Sequence, residues 1–130
     1  MLSIYLSCPV VGRRLEDINN SRECMRKYAE LMLGEECVVI NGFPLCDNGY
    51  KNISEDGQIT CTDTLALHTL SDNIKCLAYA DVFVGITTDT SIICSCERDI
   101  AHRFNKRVLL IDIEDCCCFN DMNKRRFIDY

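Results

Sequence analysis

Short, unbroken apolar runs constrain this chain more than any other feature. "CVVI" (37–40), "DVFVGI" (81–86) and "RVLLIDI" (107–113) are strand-length and show no inside–outside alternation. Strands of that kind are buried on both faces, the condition of a parallel sheet covered by helices. "LSIYLS" (2–7) adds a fourth β-rich run near the start. Helical periodicity fills the intervals. Over residues 18–33, Cys24, Met25, Tyr28, Leu31 and Met32 recur at helical spacing, with Asn19, Asn20 or Ser21 as candidate caps and Gly34 closing the end. "DNIKCLAYA" (72–80) and residues 91–104 read as two further helices. The alternation predicts a three-layer α/β sandwich in one domain, residues 1–130, around a parallel flavodoxin- or Rossmann-like sheet of four to five strands. Residues 41–66 are rich in Gly, Asn and Asp and are expected to form a long excursion with little regular structure. The tail after residue 113 suggests no particular element.

Charge and cysteine content narrow the function classes. A net charge of −6 over 130 residues argues against a nucleic-acid polymer or an anionic membrane as partner. It leaves room for a small phosphorylated ligand in a local positive pocket. No apolar run is long enough to cross a bilayer, and "MLSIYLSCPV" lacks the basic lead and the apolar length of a secretory signal, so a cytoplasmic protein is expected. Eleven cysteines raise the question of metal. The chain has no C-x-x-C pair, and the adjacent thiols Cys116, Cys117 and Cys118 cannot easily converge on one tetrahedral ion, so reduced thiols acting as small apolar residues are expected, with no metal or other cofactor.

In a parallel sheet, ligands bind beyond the carboxyl ends of the strands, beside the point where strand order reverses. The loops concerned are 7–14, 41–50 and 87–92. In the first, Ser7, Cys8, Pro9 and Gly12 lead to Arg13 and Arg14. These arginines read either as the cations of an anion site near a helix start or as solvated surface charges. In the last, Asp89 and Thr90 precede Ser91, a natural helix cap. Asp72 is a candidate cap for the preceding helix, and Asp81 a polar marker between helix and strand.

Glu97 is the residue that least fits a structural role. Ile93, Ile100, Ala101 and Phe104 surround it at helical spacing, so it interrupts the inward face of its helix. A carboxylate there needs a partner, a protonation change or a task. The helix dipole is expected to help keep it ionised, which would make it a competent nucleophile in a dry pocket. His68 and His102 show no partner pattern.

"IYLSCPV" resembles the Y-[LI]-[AS]-G-P opening of the nucleoside 2-deoxyribosyltransferase superfamily. "YADVFVGITTDTSIICSCERDIAHRFNKRVLLI" resembles its second half, in which an A-D strand leads through a loop to a helix carrying a glutamate and on to a K-R/P-[IV]-L strand. The flavour is that of the 2'-deoxynucleoside 5'-monophosphate N-glycosidase branch, with its S-x-G-x-G-x-E loop. The resemblance implies Glu97 as the nucleophile toward the anomeric carbon of a (deoxy)nucleotide and Tyr5 as its orienting partner. It implies Ser91 as a phosphate contact, because a hydroxyl tolerates phosphate where a carboxylate repels it. Cys8, Ile93 and Ser95 stand where the family has glycine, and Asn73 where it has an acid; either Asp72 takes the role of proton donor, or base departure is less assisted, or the site binds without turning over. Ser7, Cys8, Pro9, Gly12, Arg13, Arg14, Asn73, Asp89, Ser91 and Ile93 are thereby expected at the substrate. A homodimer is also implied, with the "RRFIDY" terminus completing a neighbour's pocket. The alternatives are a non-catalytic nucleotide-binding or sequestering protein on the same fold, and a small redox or interaction module using its thiols.

Overall fold

The computed structural model describes residues 1–10, 12–42, 52–60, 63–87 and 91–122. In chain order the elements are β1 (Leu2–Leu6), α1 (Leu15–Leu33), β2 (Cys37–Val39), β3 (Asn52–Ile53), β4 (Ile59–Thr60), α2 (Asp63–Tyr79), β5 (Val82–Ile86), α3 (Ile92–Arg103) and β6 (Arg107–Ile111). Two 3-10 turns, Ile113–Asp115 and Cys117–Phe119, follow. Four strands form one parallel sheet in the order β2-β1-β5-β6. This is the α/β architecture read from the apolar runs.

Strand parity sorts the core into two layers. Ile4 and Leu6 of β1, Val82, Val84 and Ile86 of β5 and Ile111 of β6 bury one face against Met25 and Ala29 of α1. Tyr5 and Phe83 face the other way, against Leu77 of α2 and Ala101 of α3. Their rings stack at 5.8 Å between centroids. Each fully buried aliphatic or aromatic side chain stabilises the fold by roughly 1.5–3 kcal/mol, so the uninterrupted apolar character of β5 is what both layers require.

Several boundaries differ from the sequence reading. α1 starts at Leu15, with Arg14 at the cap position and no side-chain cap bond, three residues before the expected start. The cause is tertiary. The Gly12 amide donates to Ile59 O at 2.7 Å, and the Ile59 amide donates to Arg13 O at 2.8 Å. Pinned to β4 in this way, the chain enters the helix early, and Ser21 is buried inside it. At the other end Gly34 adopts φ 69° and closes α1 as expected. α2 begins at Asp63, nine residues before the expected start, because "DTLALHTLS" contains no Gly or Pro to interrupt it. Asp72 is therefore inside α2 and caps nothing. Within 41–66 the antiparallel pair β3–β4 supplies regular structure, while residues 43–51 lie outside the described part.

The tail has a definite place up to residue 122. Ile113, Phe119 and Met122 are buried in the layer on the α1 side. Asp81 ties β1 to the start of β5 at the amino ends of the two central strands: its carboxylate accepts from the Ser3 amide at 2.8 Å, and its own amide donates to Ser3 O. Among the described residues, no helix is long and apolar enough to cross a membrane.

Candidate functional site

β1 and β5 are neighbours whose following helices, α1 and α3, cover opposite faces of the sheet. Their carboxyl ends therefore form the reversal point where a crevice opens in doubly wound sheets. Tyr5, at the end of β1, and Ser7, two residues on, share the face that looks toward α3. Glu97, in the second turn of α3, looks back at them. The Tyr5 phenol donates to Glu97 Oε2, and Ser7 Oγ donates to Oε1 at 3.2 Å. Both carboxyl oxygens are thus held by hydroxyls from one strand and its loop.

Glu97 is only 5% exposed. Two hydroxyl donors favour its charged form, and burial opposes it. Burial prevails, pushing the carboxyl from 4.5 up to about 8. The expectation that the helix dipole keeps Glu97 ionised is corrected by its place in the helix. α3 begins at Ile92 and has no acid in its first turn; Glu97 sits beyond the turn in which the dipole acts. At neutral pH, in this closed arrangement, the group is mostly a carboxylic acid.

Beside this cluster is a recess of about 10 Å³, lined by Ser7, Gly85, Ile86, Ser95 and Arg98 among others. That is room for roughly one water molecule. Gly85 is essential to its wall: a Cβ there would lie 2.8 Å from Phe83 Cε1, on the ring that stacks against Tyr5. Ser91 caps α3, accepting from the Cys94 amide at 3.4 Å. Cys94 is buried, and burial raises its thiol pKa.

The first loop is built differently from the anion site considered for it. Arg13 is 2% exposed. Its guanidinium grips Asp121 through Nε and Nη2 at 2.8 and 2.9 Å, and also donates to Pro9 O at 3.0 Å and Ser21 Oγ at 2.6 Å. It lies 5.4 Å over the Phe119 ring. Arg13 is therefore neither a solvated charge nor a free countercharge; it clamps the tail to α1 and the first loop. Cys8 receives a donor from the same guanidinium at 3.5 Å, and burial pushes its thiol up to about 12. The Gly12 amide is committed to Ile59, and its φ of 80° is what that turn requires. Pro9 is buried, and Arg14 is exposed.

The structure thus brings Tyr5, Ser7 and Glu97 together and places Ser91 at the start of the same helix. Asp72, exposed and midway along α2, is not among the groups that hold Glu97, and Asn73 is its half-buried neighbour on that helix. Ile93 is half-buried in the first turn of α3. Asp89 and the terminus 125–130 lie outside the described residues.

Two groups were missed in the sequence. Asn41 is buried and brackets the end of β1, accepting from the Leu6 amide at 2.8 Å and donating to Leu6 O at 2.7 Å. Arg22 donates to the Asn41 carbonyl at 2.6 Å, which sets a cation near the carboxyl edge. Asn41 was legible only as a loop residue, since the ladder it completes joins residues 35 apart. No protein-family model and no curated protein matches this chain.

Proposed function

We propose that the protein cleaves the base–sugar bond of a (deoxy)nucleoside 5'-monophosphate, with Glu97 as nucleophile, in the manner of the nucleoside 2-deoxyribosyltransferase superfamily its motifs resemble. The observation that carries this reading is the buried Tyr5–Glu97–Ser7 cluster at the reversal point of the sheet. A core position filled by a carboxyl, with both oxygens held by hydroxyls, costs stability that a leucine would not. Such a cost is characteristic of a group retained for chemistry.

The chemistry follows from the arrangement. The ionised Glu97 oxygen bonds to the anomeric carbon as the carbon–nitrogen bond breaks, and the electron pair leaves with the base, which takes up a proton. The Tyr5 hydroxyl fixes the carboxylate's direction, and its hydrogen bond relaxes as charge passes to the sugar ester. Water then attacks the glycosyl ester, its hydroxyl going to the anomeric carbon and its other proton to the departing carboxylate. A second base in place of water gives transfer. Phosphate recognition would fall to the α3 start at Ser91 and to Arg98, which lines the recess. Asp72 has no support from its position as the proton donor, so the base leaves with a solvent proton.

A second reading, nucleotide binding without turnover, is favoured by the raised Glu97 pKa, which leaves the carboxyl mostly protonated and a poor nucleophile at neutral pH. Incubation with a panel of ribo- and deoxynucleoside monophosphates separates the two. The glycosidase reading expects free base from the wild type and none from Glu97→Gln. Base release that persists in Glu97→Gln removes Glu97 as nucleophile, and nucleotide binding without release supports the second reading. A homodimer that completes the pocket belongs to the same proposal, and sedimentation with and without nucleotide tests it.

A further inference from the structure

Cys24 of α1 and Cys116 and Cys118 of the C-terminal turns come from opposite ends of the chain, yet their sulfurs all lie within 4.8 Å of one another. Cys116 caps the second 3-10 turn and Cys118 lies within it, so the two alternate residues are half-buried while Cys117 between them is exposed. Their sulfurs are 2.8 Å apart, in hydrogen-bond contact and not joined as a disulfide. The difficulty that adjacent thiols pose for a metal ion is thus avoided by skipping one and recruiting Cys24, a residue more than ninety positions away.

We propose that Cys24, Cys116 and Cys118 form a three-thiolate site for a soft divalent ion, with zinc as the reference ion. Zinc–sulfur bonds of about 2.3 Å in tetrahedral geometry place sulfurs about 3.8 Å apart. With all three sulfurs within 4.8 Å, the triangle reaches that spacing chiefly by an opening of the Cys116–Cys118 edge from 2.8 Å. A fourth position is left to water or an exogenous ligand. All three side chains are half-buried, so an ion would be shielded while remaining reachable.

The position gives the ion a structural consequence. Ser21, one turn before Cys24 on α1, already donates to Cys118 O at 2.7 Å. The same turn leads to Asp121, the partner of Arg13. An ion would close the chain of links from α1 through the C-terminal turn to Arg13 and hence to the first loop, which carries Ser7.

The test uses the reduced protein, stripped of metal and titrated with Co(II), then with zinc in competition. One equivalent is expected, with sulfur-to-cobalt charge-transfer absorption. Affinity should fall by at least about tenfold in Cys24→Ser and Cys118→Ser, and stay unchanged in Cys37→Ser. In the wild type, zinc should protect Cys24, Cys116 and Cys118 from alkylation while Cys117 stays reactive; this measurement decides the matter if the serine variants fail to fold. Uptake that is undiminished in Cys24→Ser, equal protection of Cys117, or no charge-transfer absorption would each overturn the site.

Discussion

Replacing Glu97 by Gln should remove most of the pH dependence of stability near neutrality. Gln keeps the shape, can accept from Tyr5 and bond to Ser7, and cannot ionise. In the wild type burial pushes the carboxyl from its ordinary value of 4.5, which the unfolded chain keeps, up to about 8. Between those values the native state holds a proton that the unfolded chain has released, so stability falls as pH rises, and levels off above about 8. At about 1.4 kcal/mol per pH unit, ionisation costs the fold roughly 3 kcal/mol at pH 7 and roughly 5 kcal/mol once complete. Set against the 5–15 kcal/mol typical of a domain, that is a large share. Urea unfolding of both proteins at pH 5, 6, 7 and 8, read by circular dichroism, isolates the group, because other titrations cancel in the difference. The difference should grow with pH in favour of Glu97→Gln. Parallel curves, or a difference that shrinks toward pH 8, would refute a carboxyl neutralised by burial.

Tyr5→Phe should leave Glu97 with the Ser7 hydroxyl as a donor but without the phenol, cost about 1–3 kcal/mol in urea unfolding, and move the Glu97 titration further up. Arg13→Met should cost about 3 kcal/mol because Asp121 loses a bidentate partner, and Arg13→Lys should not restore it, since an ammonium lacks the fork; thermal unfolding compares the three. Gly85→Ala should push the Phe83 ring off its place against Tyr5, at about 1–3 kcal/mol, with a changed near-ultraviolet tyrosine signal. If base release is found, its rate should rise with pH toward a plateau above about 8, as Glu97 becomes ionised.

Legibility in the sequence followed the range of the interactions. β1, β2, β5 and β6 were readable from their short apolar, β-rich runs, but only β5 is buried along its whole length; β2 and β6 are edge strands, and Val38 of β2 is exposed where burial on both faces was expected. Glu97 stood out for the complementary reason, a charge in a helical apolar stripe, and Tyr5 was paired with it through the resemblance. The helix starts were less readable. Residues 12 and 13 pair with Ile59, so the start of α1 is set by a strand more than forty positions away. Arg13 gave no sign of burial, because Asp121, Ser21 and Phe119 reach it only after the tail folds back over α1. The thiol triangle was hidden in the same way: its third member joins two ends of the chain.

The central claim is that Glu97 bonds to a sugar. Intact-mass measurement of the protein quenched in acid during incubation with a nucleoside monophosphate tests it most directly. An added mass equal to the sugar phosphate without its base, mapped to the peptide carrying Glu97 and absent in Glu97→Gln, is the predicted result. Free base accumulating with no adduct on Glu97 under any quench, or an adduct that persists in Glu97→Gln, would contradict it.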